Sequence, residues 1–190
     1  MQAGASDSGV AMDTLFSSRS IWTMAHGVFL GGGALMTLGA ALFGLFIMRT
    51  TAAPDIADAR QARQLGWLLM IAAALLWLTA IIGTYVSFPP YRATPPEGLL
   101  DLARYPRSLI RSNPETAWLH SIAMEMKEHM PWIAAMLCTA VAFVTVRYGS
   151  LLQRDRQLRR MALSLLVICF ALVATTALLG TLINKVAPLE

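Results

Sequence analysis

Four long apolar stretches, roughly residues 21–48, 64–86, 130–146 and 161–183, constrain this chain more than any other feature. A bilayer core of ~30 Å needs about 20 helical residues, and it offers no water to satisfy open backbone groups. Each stretch is therefore expected to be a membrane-spanning helix. The fold class that follows is all-α, an integral membrane four-helix bundle. Composition agrees, because 56% of the 190 residues are hydrophobic and 14% are charged, against about 25% charged in a typical soluble domain. Disorder, a nucleic-acid-binding arm and an ordinary cytosolic enzyme are excluded. The net charge of +4 is no nucleic-acid footprint, since most basic residues flank the apolar stretches.

Those flanking charges predict an orientation. The two short links hold Arg49, Arg60 and Arg63, and Arg147, Arg154, Arg156, Arg159 and Arg160. The opposite side has Arg19, Arg92, Arg104, Arg107, Arg111, Lys127 and Lys185, spread over a longer stretch. Density places the short links in the cytoplasm, with both termini and the long loop outside. The expected location is the inner membrane of a bacterium. Residues 1–20 read as a polar tail with no cleavable signal, 21–186 as one transmembrane domain, and 187–190 as a second tail. Within the domain, 87–117 is an external loop whose six prolines argue against a continuous helix. The segment 97–105 is expected to form a short amphipathic turn there. Arg154, Arg156, Arg159 and Arg160 are expected to meet anionic headgroups.

The chain contains no Gly-rich phosphate loop, no G-x-S-x-G elbow and no Cys-x-x-Cys. Cys138 and Cys169 fall inside apolar stretches at similar depths and read as small core residues. The second and fourth stretches carry no acid, base or histidine, so a continuous ion pathway across the membrane is hard to draw.

Histidine placement is the functional signal. His26, His120 and His129 all lie toward the outer ends of the first and third helices. His26 is 23 residues from Arg49, and His129 and His120 are 18 and 27 residues from Arg147. At 1.5 Å per residue the depths agree within about 6–8 Å. A b-type haem wants two imidazoles on different helices at one depth, which makes His26 with His129 the candidate pair and His120 the substitute. Glu125, one turn before His129, is the expected orienter of that ring. Pro131 is expected to kink the helix beside His129. Below His26 the same face runs through Leu30, Gly33 and Thr37, with Gly33 giving a macrocycle or a neighbouring helix close access. Chlorophyll, copper or no cofactor are the alternatives, since Glu125, Glu128 and His129 with nearby methionines also suit copper.

In helix count, size and the placement of His26 with His120 and His129, the chain resembles the four-helix cytochrome b subunits that anchor bacterial redox enzymes in the membrane. The resemblance implies haem b and electron transfer between an external redox protein and quinone or another subunit. It implies an electron-transfer or accessory role rather than catalysis. The chain departs from that pattern in having no histidine in its cytoplasmic half, so one haem is expected instead of two. The competing expectation is a cofactor-free structural subunit of a larger membrane complex.

Overall fold

A computed structural model of the protein describes residues 18–188. Residues 1–17 and 189–190, most of the two expected tails, lie outside it, and Ser18 to Ser20 are already helical. Among the described residues the chain is all-helical, with no strand. Four helices are long and apolar enough to cross a membrane: α1 (Ser20–Ile47), α2 (Ile56–Arg92), α4 (Leu119–Arg154) and α5 (Arg156–Val186). A short helix, α3 (Pro106–Ser112), lies in the connection between α2 and α4. The protein is thus a multi-pass helical bundle whose long helices contact lipid.

Two apolar clusters hold the bundle. The larger runs through its middle with small and branched side chains from every long helix, among them Ala34, Leu38, Leu69, Leu76, Ala135, Cys138, Leu166 and Cys169. Small residues let the backbones approach closely where lipid gives no hydrophobic drive. The smaller cluster closes the end that carries the long loop. Tyr91, Ile110, Leu119, Ala123 and Ile183 pack there, with Ile110 of α3 fully buried. The α3 part of the proline-rich loop is therefore packed onto the bundle through Ile110, while most of residues 92–101 are exposed.

Three local expectations change. Helix α2 continues through Pro89 and Pro90 to Arg92, because these prolines occupy the first turn of a new α-segment, where a missing N–H costs little. The loop helix is Pro106–Ser112, not 97–105. Pro106 starts it at N1, while Gly98 turns the chain at φ 79° within the expected stretch. In α4 the non-helical backbone sits at Tyr148 (φ −128°, ψ 29°), and Pro131 lies within a continuous helix.

The end bearing the short links is closed by hydrogen bonds. Asp55 and Asp58 form a reciprocal capping box at the start of α2, and the Asp155 carboxylate accepts from the main chain of Gln157 and Leu158 at the start of α5. Arg159 donates from Nη1 to the Met48 carbonyl at 2.9 Å and from Nη2 to Thr50 Oγ1 at 2.6 Å. This guanidinium closes the C-terminus of α1 instead of facing headgroups. Gln153 donates to the Asp58 carbonyl at 2.6 Å, and Thr51 N–H donates to the Gln153 carbonyl.

Candidate functional site

The loop end is wound differently. Three segments there, Ala25–Gly31, Gly83–Ser87 and Leu119–Met124, form π-helix. Such wide turns are rare and gather at functional sites. The first is rich in glycine, and the second directly precedes Pro89 and Pro90, whose rings and missing N–H groups disfavour tight winding upstream.

These segments frame a polar layer to which each long helix contributes one position. His26 of α1 lays its ring on Gly83 of α2, where an added methyl would stand 2.7 Å from Cε1. Only glycine leaves room for the imidazole at that crossing. Lys127 of α4 extends across the layer to α5, its Nζ lying 3.0 Å from where a Gly180 methyl would be. Lys127 is also close enough to act electrostatically on His26, and the Thr79 main chain is within hydrogen-bonding reach of the same ring. His26 Nδ1 is buried without a partner. No carboxylate acts on Lys127, which has neither a hydrogen bond nor an ion pair among the described residues. A cation half-buried between helices without a counter-charge is costly to desolvate.

Nearer the surface lies an open cleft of about 640 Å³, lined by Arg107, Arg111, Ala117, His120, Ser121 and Glu125. Tyr91 fixes one wall, its hydroxyl 3.1 Å from His120 Nδ1 and its ring stacked on Phe88 at 5.9 Å. Arg92, Arg107 and Arg111 all lie close enough to act on His120, as does Glu125.

The expected site residues therefore divide. His120 and Glu125 share the cleft, His26 faces the polar layer, and His129 is exposed on the other side of α4. Two residues along a helix turn a side chain by about 200°, so His129 points away from the layer that Lys127 enters. His129 Nδ1 bonds the Glu125 main-chain carbonyl at 2.8 Å, so the carbonyl rather than the carboxylate orients that ring. Gly33 meets Leu75 of α2 at ordinary contact distance. Each imidazole has its own neighbour: Gly83 for His26, the Tyr91 hydroxyl for His120 and the Glu125 carbonyl for His129. Among the described residues, no three His, Cys, Asp or Glu side chains gather into a metal-binding group. The Cys138 and Cys169 thiols are buried and touch each other, and Cys169 Sγ also donates to the Ala134 carbonyl at 3.3 Å.

Sequence reasoning missed three groups. Lys127 was legible only as the i+7 partner of His120 on one helical face. Tyr91 and the Arg107–Arg111 pair carried no signal, because a loop of unknown path brings them to α4. No family model, curated protein or solved structure matches the chain.

Proposed function

We propose that this chain is an electron-transfer accessory subunit of a bacterial inner-membrane redox complex, with its loop end outside. Its own chemistry is to hold the head group of a quinone-class carrier at the His26–Lys127 layer. The observation that carries this reading is Lys127, an ammonium inside the bundle with no carboxylate to neutralise it and an imidazole beside it. A quinone presents carbonyl oxygens that become negative on reduction and then take protons. Lys127 supplies the positive charge those oxygens need, in a low-dielectric site where such stabilisation is strongest. His26, anchored by the Gly83 notch and the Thr79 main chain, presents its unpartnered Nδ1 to the head group, where it can accept from a quinol hydroxyl. Reduction to quinol consumes two electrons, which come from the external redox protein, and two protons.

Titration of a short-chain ubiquinone into the purified protein in nanodiscs, followed by tryptophan quenching, tests this. Lys127→Met is expected to weaken binding about tenfold, the equivalent of one charge-assisted hydrogen bond. Unchanged affinity in a variant with native circular dichroism would overturn the reading and favour the cofactor-free structural subunit. Topology has its own test. A Ser150→Cys variant lacking Cys138 and Cys169 should resist impermeant thiol reagents in sealed spheroplasts.

His129 supports a second role for the assembled complex. Its Nδ1 is held by a backbone carbonyl, which leaves Nε2 free and directed out of the bundle, the state of a ligating imidazole. A haem shared with a neighbouring subunit would take His129 as this chain's ligand and would supply one-electron transfer. The complex should then lose its pyridine haemochromogen signal in His129→Leu and keep it in His26→Leu. Loss in both variants would return His26 to the ligand set.

A further inference from the structure

The cleft at the loop end carries charges that the fold does not use. Arg107 and Arg111 come from α3, and His120, Ser121 and Glu125 from the first turns of α4. Neither arginine forms a hydrogen bond or an ion pair among the described residues, and Arg107 Nε is buried with no partner. The Glu125 carboxylate likewise has no hydrogen bond or ion pair among the described residues, since the bond to His129 runs through the main chain. A surface that merely needed solubility would let Glu125 pair with one of these guanidiniums. Instead cation and anion stand apart across one hollow.

Its depth is informative. The cleft opens where the α4 span begins, and Trp118 and Ile122 in the same turns are 44% and 56% exposed. Leu99 and Leu100 on the loop are exposed as well. Apolar surface just below a charged hollow suits a ligand with a polar head and acyl tails. The two charge signs in the hollow require a head that is itself a dipole.

We infer that the cleft binds the zwitterionic head group of a phosphoethanolamine lipid. Arg107 and Arg111 take the phosphate with their planar donor forks. Glu125 accepts from the primary ammonium, whose three N–H donors a choline head lacks. The Tyr91–His120 hydrogen bond keeps the imidazole against the wall, which holds the floor of the cleft in shape.

The test uses the full chain reconstituted in nanodiscs containing equal parts phosphatidylethanolamine, phosphatidylcholine and phosphatidylglycerol. Native mass spectrometry then reads the lipids retained on release. Phosphatidylethanolamine is expected to be enriched about tenfold over phosphatidylcholine, the value of one hydrogen bond to a charged group. Glu125→Gln should abolish that preference while leaving total retained lipid unchanged. The pair Arg107→Gln and Arg111→Gln should remove retained lipid of all three classes, and the pair Arg107→Lys and Arg111→Lys should restore part of it. Displacement of the retained lipid by millimolar soluble phosphoethanolamine would support the same head-group recognition and identify a soluble source. Enrichment of phosphatidylglycerol that ignores Glu125→Gln would overturn the zwitterionic assignment. Retention unaffected by any of these variants would overturn the site.

Discussion

The two ends of this bundle treat polar groups in opposite ways. At the end with short links, a capping box, the Asp155 cap, Arg159 and Gln153 occupy nearly every helix terminus with a hydrogen bond. At the loop end the helices are wound as π-turns, and His26 Nδ1, Ser87 Oγ and Arg107 Nε are buried without partners. The satisfied end acts as the clamp of the bundle, although the Gln153 Oε1 atom is left open even there. The other end leaves polar groups open to an outside partner. Sites drawn from strained or under-bonded regions cost stability that the rest of the fold must supply.

The largest effect expected from this contrast is a gain. Replacing Lys127 by methionine removes an unneutralised cation from between the helices, which should stabilise the bundle by about 3 kcal/mol while weakening quinone binding about tenfold. Steric-trap unfolding in bicelles measures it, and destabilisation by this variant would mean that Lys127 serves the fold. Next comes Gly83→Ala, whose methyl would meet the His26 ring at 2.7 Å. A shift of the ring and helix crossing should cost about 2 kcal/mol and impair binding, whereas His26→Ala combined with it should recover most of that stability. A cost that persists in the double variant would separate Gly83 from His26.

At the other end, Arg159→Gln should cost about 1.5 kcal/mol through the two hydrogen bonds to Met48 and Thr50, with no change in ligand binding. A binding defect there would show that the two ends are coupled. The smallest expected effect is Asp55→Ala, about 1 kcal/mol from the lost cap of α2. Amide exchange in the first turns of α2 should rise, and protection around Lys127 should not.

Much of the fold was legible because the bilayer imposes a one-dimensional rule. About twenty apolar residues make a span, and four such runs appear in the sequence. The exact ends were less legible. Pro89 and Pro90 read as helix breakers, yet they open a new turn after a π-segment that the sequence does not advertise. His26, His120 and His129 stand out by residue type, but depth alone could not say which way each ring points.

The sequence by itself determined the membrane class, the four spans and the concentration of histidine at one end, since these depend on local hydrophobicity and on residue count. Only the tertiary structure decided that Lys127 and His26 share a layer with Gly83 and Gly180, that His120 and Glu125 face Arg107 and Arg111, and that His129 stands apart. Helix rotation sets these neighbours. A π-turn changes rotation by a fraction of a turn without altering composition, so the partners of a side chain emerge only when four backbones pack.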